Sequence, residues 1–129
     1  MTGHTEIIRG LYAAFAAGNV PAVLERLDPQ VRWTEAEGFP YGGTYVGHEA
    51  VLGGVLAKLA TEWDGFAVVP EEFIAERDIV VAVGRYSGVF KESGKAFTAP
   101  FAHVWRLRDG RVVEFRQHTD TLLVQRATR

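Results

Sequence analysis

The sequence contains no cysteine, and this absence excludes several kinds of chemistry at once. Without a thiol the chain can form no disulfide bond, no thiolate nucleophile and no cysteine-based metal site. The four histidines are scattered, and the His-Glu-x-x-His pattern that is typical of a zinc site on a helix does not occur. We therefore expect no bound metal.

An excess of charge of one sign and long apolar runs are also missing. The 14 basic and 16 acidic residues are interspersed and leave a net charge of -2, so no nucleic-acid partner is predicted. No apolar run is long enough to cross a bilayer, which predicts no membrane partner. The first residues lack the basic and apolar regions of a signal peptide, and a cytoplasmic location is therefore expected.

Hydrophobic residues, by contrast, make up 47% of the 129 positions, enough to bury the core of one domain over residues 1–129. The helical spacing of these residues predicts a helix over 5–17 and the longest helix over 47–63. Asn19 can cap a short helix between them, which Asp28-Pro29 would break.

The rest of the chain is dominated by predicted strands. They cover residues 31–35, 66–76, 79–90, 96–107 and 111–119. Pro70 indicates that the second strand lies at an edge or carries a bulge. The glycine-rich and aromatic segment 36–46 is predicted to be a loop that borders a pocket. Asp120 can cap a short terminal helix.

Asp109-Gly110 predicts a hairpin between the last two strands. A two-residue loop would pair His103 with Arg116 and mix apolar with charged side chains on one face. A three-residue loop that begins at Arg108 would pair His103 with Phe115 and place the apolar and the charged side chains on opposite faces. We predict the three-residue loop. One face then carries Phe101, His103, Trp105, Val113, Phe115, Gln117 and Thr119.

The order of elements is helix, helix, strand, helix and then four antiparallel strands. This order predicts an α+β fold in which a cone-shaped, curved antiparallel sheet packs on the N-terminal helices. A curved sheet with helices on one face leaves a cone between the layers, where a pocket can form.

Two stretches resemble a known family. They are Tyr45-Val46-Gly47-His48-Glu49-Ala50-Val51, which opens the long helix, and residues 110–121, which close the sheet. Both are similar to the nuclear transport factor 2-like superfamily, and most of all to its SnoaL-like and ketosteroid-isomerase-related proteins. The resemblance covers nearly the whole chain. It implies a single SnoaL-like domain and a homodimer that forms through the outer face of the sheet. Because this fold hosts isomerases, cyclases, hydrolases, dehydratases and non-enzymes, the activity must be argued from the site.

The resemblance to SnoaL-type polyketide cyclases implies roles for residues on the last two strands. His103 matches the histidine of those cyclases. Phe101 stands in place of their glutamine, and Gln117 in place of their acid–base aspartate. An amide cannot take up a proton at neutral pH, so the cyclase mechanism does not carry over unchanged.

Two other groups of relatives suggest further residues. Arg85-Tyr86-Ser87 resembles the Arg-x-Asp strand of limonene-epoxide-hydrolase-like proteins, with serine in place of the aspartate. Ketosteroid isomerases use a carboxylate base and a tyrosine that donates to an oxyanion. Glu35 matches that base, and Tyr12 that tyrosine, by approximate position.

The predicted catalytic residues are Glu35, His103 and Gln117. His103 can be a general acid or base, because imidazole titrates near neutral pH, or a hydrogen-bonded histidine at the edge of the core. Gln117 can orient a ligand carbonyl or hold the histidine in one tautomer, or it can be a satisfied buried amide. Glu35 is in phase with Val31 and Trp33, so burial in the cone would raise its pKa; otherwise it is solvated.

The predicted substrate-binding residues are aromatic, apart from one arginine. They are Tyr12, Trp33, Tyr45, Trp63, Arg85, Phe101, Trp105 and Phe115. Aromatic residues in these phases also fit an ordinary core. The face of Arg85 stays open, because the following loop allows two registers. In one register Arg85 and Ser87 face the pocket, and in the other Tyr86 does.

These residues predict a pocket for a small apolar molecule with a carbonyl or hydroxyl group, such as a polyketide, steroid or terpenoid fragment. If the protein is an enzyme, we expect cofactor-independent proton transfer: isomerisation, cyclisation or dehydration. The alternative is a non-catalytic ligand-binding or dimerisation module that has lost the catalytic aspartates of the family.

Overall fold

A six-stranded sheet and five α-helices make up the computed structural model of the protein, which describes residues 3–129. The helices are α1 (His4–Ala16), α2 (Val20–Glu25), α3 (His48–Val51), α4 (Ala57–Glu62) and α5 (Thr121–Ala127). The strands are β1 (Leu27–Glu35), β2 (Gly43–Val46), β3 (Trp63–Glu76), β4 (Ile79–Phe90), β5 (Ala96–Arg108) and β6 (Arg111–Thr119). A π-helical segment, Leu52–Leu56, joins α3 to α4.

The predicted α+β cone is confirmed, since the N-terminal helices pack on a curved, unclosed sheet. The strands lie in the order β2-β1-β6-β5-β4-β3, and β3, which contains Pro70, is at an edge with a bulge after the proline. All pairings are antiparallel except that of β1 with β6. The predicted antiparallel sheet therefore contains one parallel pair. Over residues 3–129, no helix combines the length and the hydropathy needed to cross a bilayer.

The structure corrects the loop of the β5–β6 hairpin. Arg108 pairs with Arg111, which leaves Asp109 and Gly110 as a two-residue loop. Both loop residues have positive φ, 53° and 78°, as the loop type that suits the twist of a hairpin requires. The predicted three-residue loop is therefore wrong.

A bulge in the same hairpin preserves the predicted burial of the site residues. Val113 is the extra residue on β6, and beyond it His103 lies opposite Gln117 rather than Phe115. Because the bulge adds one residue, it restores the alternation that the two-residue loop would have inverted. His103, Phe115 and Gln117 thus share the inner face, while Val112 takes the buried position predicted for Val113.

Three other boundaries differ from the prediction. β1 begins at Leu27, so Asp28-Pro29 lies in an irregular part of this strand and not in a helix end. β2 lies within the predicted loop 36–46 and pairs with β1. Trp63 opens β3 instead of closing the long helix, because its backbone is extended and its ring is buried among other aromatic residues.

The two helix caps expected from the sequence, Asn19 and Asp120, are present in the structure. The Asn19 side chain accepts from Ala22 N at 3.2 Å and begins α2. The Asp120 side chain accepts from Leu123 N at 3.3 Å and begins α5. The helices cover the inner face of the sheet, and one cluster of buried apolar residues fills the space between the two layers.

Candidate functional site

Three polar or charged side chains are buried within the part of the chain that the structure describes, and they are Glu35, His103 and Gln117. All three reach the same cavity between the sheet and the helices. The cavity has a volume of about 40 Å³, and most of its wall is aromatic or aliphatic. The residues predicted to be catalytic are therefore brought together, although their roles stay a prediction.

Glu35 is the last residue of β1 and faces inward because it alternates in phase with Val31 and Trp33. Its side chain is 4% exposed, and its Oε2 atom has no hydrogen-bond partner among residues 3–129. Burial raises the pKa of Glu35 to about 8. The Trp33 indole Nε1 also lacks a hydrogen-bond partner within those residues. The cavity thus contains a carboxyl group that is mostly protonated at neutral pH.

His103 lies between two tyrosines. Its Nδ1 is 2.6 Å from the Tyr12 hydroxyl, and its Nε2 makes a short hydrogen bond to the Tyr86 hydroxyl. Burial, and less strongly the charge of His118, lower the pKa of His103 to about 3. The imidazole is therefore neutral near pH 7 and is poorly suited to act as a general acid or base.

The neutral imidazole determines where the hydroxyl protons can go. Only one of its nitrogens carries a proton, so one tyrosine donates to His103 and the other accepts from it. Burial raises the pKa of Tyr12 and of Tyr86, so both hydroxyls keep their protons. Their oxygens also accept from Trp105 Nε1 at 3.0 Å and from Gln117 Nε2 at 2.9 Å, respectively. In either tautomer, one tyrosine O–H has no acceptor in the described part of the chain and can donate to a ligand.

Gln117 holds two parts of the site together. Its Oε1 accepts from the backbone N–H of Ala36 at 3.0 Å, directly after Glu35, and its Nε2 donates to the Tyr86 hydroxyl. These contacts fix the end of β1 against β6. No hydrogen bond joins Gln117 to His103. The predicted effect of Gln117 on the tautomer of His103 would therefore be indirect, through Tyr86.

The structure separates the predicted substrate-binding residues into two groups. Tyr12, Trp33, Trp105 and Phe115 line the cavity. Phe101 lies behind it and stacks on His103 with ring centroids 4.0 Å apart. These five belong to one aromatic cluster around the imidazole.

Three predicted residues lie elsewhere. Trp63 donates from Nε1 to the Tyr41 hydroxyl at 3.0 Å and packs against Phe66 and Phe90, away from the imidazole. Tyr45 lies on β2 and donates to the backbone carbonyl of Tyr41. Arg85 is on the outer face, 3.7 Å from Glu71, with both side chains exposed. Of the two registers that the sequence left open, the pairing of β4 with β5 gives the one that turns Tyr86 inward, so Arg85 does not line the cavity.

Tyr86, which the sequence places in the pocket in only one of two possible registers, is the most important wall residue outside the predicted set. Phe39, Leu56 and Phe66 also line the cavity. Valines occupy both faces of β4, so periodicity alone cannot orient this strand. Because burial of the Arg85 guanidinium would cost free energy, Arg85 favours the outer face, and its neighbour Tyr86 then faces the site. This is the one signal in β4 that could have oriented the strand.

A metal site is not formed by these residues. Among the described residues, no three histidine, aspartate or glutamate side chains converge. Besides two indole N–H groups, the polar groups of the cavity are one carboxyl, one imidazole, one amide and two hydroxyls, and hydrogen bonds link the last four to one another.

The chain resembles several proteins of known structure. The SnoaL-like domain family matches residues 8–115. A nuclear transport factor 2-like protein from Burkholderia thailandensis is 38% identical, with a TM-score of 0.96 over 100% of this chain and 99% of that one. A similar protein from Burkholderia pseudomallei is 33% identical, with a TM-score of 0.90 over 98% of each chain.

TerC, which has been co-crystallised with polyporic acid, is 30% identical, with a TM-score of 0.86 over 95% of each chain. No curated protein sequence matches the chain. The family match covers most of the chain and the relatives match it nearly end to end. The chain belongs to the SnoaL-like family of the nuclear transport factor 2-like superfamily.

Proposed function

We propose that the protein binds a small apolar carbonyl compound and moves a proton on it, with Glu35 as the acid–base group and without a cofactor. The observation that carries this proposal is the unpartnered Glu35 carboxyl in a cavity that also offers an uncommitted tyrosine O–H. A pKa of about 8 is favourable for a base that must accept a proton and return it near neutral pH.

The proton transfer can be written with the groups of the cavity. Ionised Glu35 removes a proton from the carbon next to the carbonyl, and the electron pair moves to the carbonyl oxygen. The uncommitted tyrosine donates a hydrogen bond to that developing oxyanion. In a β,γ-unsaturated carbonyl compound, the electron pair then moves back from the oxygen, the double bond shifts into conjugation with the carbonyl, and Glu35 returns the proton to the γ carbon, which isomerises the compound. Donation from Trp105 to Tyr12, or from Gln117 to Tyr86, makes the respective hydroxyl a stronger donor.

The likeness to TerC supports an organic ligand for this pocket. That protein has been co-crystallised with polyporic acid, and it is similar to this chain over 95% of both. Polyporic acid is therefore a first compound to test for binding. Thermal unfolding with and without polyporic acid measures binding, because a ligand at about a hundred times its dissociation constant raises the free energy of unfolding by about 2.7 kcal/mol.

Catalysis is tested by hydrogen exchange at the carbon next to a carbonyl. Methyl ethyl ketone is incubated in heavy water with wild type, with Glu35→Gln, and with Glu37→Gln as the control for an exposed carboxylate nearby. We expect wild type and Glu37→Gln to accelerate the exchange. Glu35→Gln should lose about a hundredfold or more of that acceleration, because it removes the general base. Equal exchange with Glu35→Gln and wild type would show that Glu35 is not the base.

A second candidate is a non-catalytic module that forms a homodimer through the outer face of the sheet. The supporting observation is a group of valines on that face, Val81, Val83 and Val104, which are only half-buried. We expect Val83→Glu to lower the dimer fraction in analytical ultracentrifugation, since it would bury a charge between the copies. A monomer in wild type would refute this interface. The cytoplasmic location likewise stays a prediction.

A further inference from the structure

A second apolar hollow adjoins the cavity. It has a volume of about 280 Å³ and lies where α1 gives way to α2 and α4 gives way to β3. Five residues line both spaces, and they are Phe15, Val23, Leu56, Leu59 and Phe66. The hollow, called the tail groove below, is otherwise lined by Gly18, Val20, Ala60 and Gly65. None of its nine lining residues is charged.

The volumes of the two spaces set the size of the ligand. A water molecule needs roughly 10–15 Å³ on this measure, so the inner cavity of about 40 Å³ holds about three waters or one small polar group. The tail groove offers about seven times that space beside the same aromatic walls. A carbonyl compound of ordinary size therefore fits only if most of it lies in the tail groove.

We propose that the ligand is an elongated amphiphile, with a carbonyl head beside Glu35 and an unbranched apolar tail in the tail groove. This inference rests on the proposed function for the head group, while the groove supplies the site of the tail. The tail gains its affinity from apolar burial, because the groove has no charged group to satisfy.

Two glycines, which have no side chain, lie at the rim of the groove. Gly18 and Gly65 have φ of +70° and +60°, a conformation that disfavours other residues, and no atom lies within 4 Å of a Cβ built on either. Side chains at these turns would project into the open rim. Their absence leaves the rim of the groove open to solvent.

The test uses a series of methyl n-alkyl ketones, from methyl ethyl ketone to methyl nonyl ketone, with affinity measured by titration calorimetry. In wild type, affinity should rise about fourfold for each added methylene until the groove is full. Ala60→Trp should remove this increment, because Ala60 lines the groove and an indole would fill it. The matched control is Thr61→Trp, at the adjacent exposed position of α4, which lines neither space.

Val20→Phe, on the opposite wall, provides a second block if Ala60→Trp does not fold. The proposal is overturned if affinity is independent of chain length, if no ketone binds, or if the blocking variants behave like Thr61→Trp. Glu35→Gln separates this result from the proposed function. If affinity still depends on chain length but Glu35→Gln does not change hydrogen exchange, the result supports the tail groove and rejects proton transfer by Glu35.

Discussion

Ionisation of Glu35 should make the protein less stable as the pH rises. Burial raises the pKa of this carboxyl from 4.5 to about 8, so the folded state holds a proton that the unfolded state releases. The contribution of Glu35 to stability is therefore greatest below pH 4.5 and is lost between pH 4.5 and about 8. At about 1.4 kcal/mol for each unit of pKa, the loss is on the order of 5 kcal/mol.

Urea unfolding followed by tryptophan fluorescence measures this dependence, with Glu35→Gln as the variant and Glu37→Gln as the exposed control. The free energy of unfolding of Glu35→Gln, relative to wild type, should increase by about 1.4 kcal/mol per pH unit between about pH 5 and about pH 8. Glu37→Gln should keep the wild-type dependence. Parallel curves for wild type and Glu35→Gln would refute the reasoning, because they would mean that the carboxyl is not desolvated.

Three further substitutions test other parts of the structure by urea unfolding. Tyr86→Phe should cost about 1–3 kcal/mol, since it leaves His103 Nε2 buried without a partner; no loss would contradict the hydrogen bond. Asp120→Ala should cost about 1 kcal/mol and leave ligand binding unchanged, as expected for a helix cap; a loss of binding without a loss of stability would contradict this role. Gly54→Ala should cost about 1–3 kcal/mol, because its Cβ would lie 2.2 Å from Tyr45 Cε1. The same change should cost less in a Tyr45→Ala background, and equal costs would argue against the clash.

The sequence predicted the site best where alternation along a single strand was unambiguous. Val31, Trp33 and Glu35 share a face in any register of β1, so the inward orientation of Glu35 follows from local order because the strand extends as far as this residue. The inner face of β5, and that of β6 beyond the bulge, were also predicted, although the loop was wrong. That face assignment survived because the shorter loop and the bulge each shift the register by one residue, and two such inversions of the alternation cancel.

Features that depend on distant parts of the chain could not be predicted. Tyr12 and His103 are 91 positions apart, and their hydrogen bond exists only because α1 packs on β3 and β4 and carries the Tyr12 ring over to β5. The orientation of β4 depended on a loop that allowed two registers. The hydrogen bonds of His103 to Tyr12 and Tyr86 could therefore not be foreseen.

The π-helical segment Leu52–Leu56 also has a consequence for how this pocket can evolve. Val51 and Leu59 flank the segment and are both buried, yet eight residues of regular α-helix would leave them about 80° apart. The wider turns absorb one extra residue and return both side chains to the core. A descendant that deletes one codon here can form a regular α-helix and keep both Val51 and Leu59 buried. Its helix would then present different side chains to the cavity at the positions of Val55 and Leu56. Changes in length at this segment therefore offer a lineage a way to alter ligand choice without disturbing the sheet.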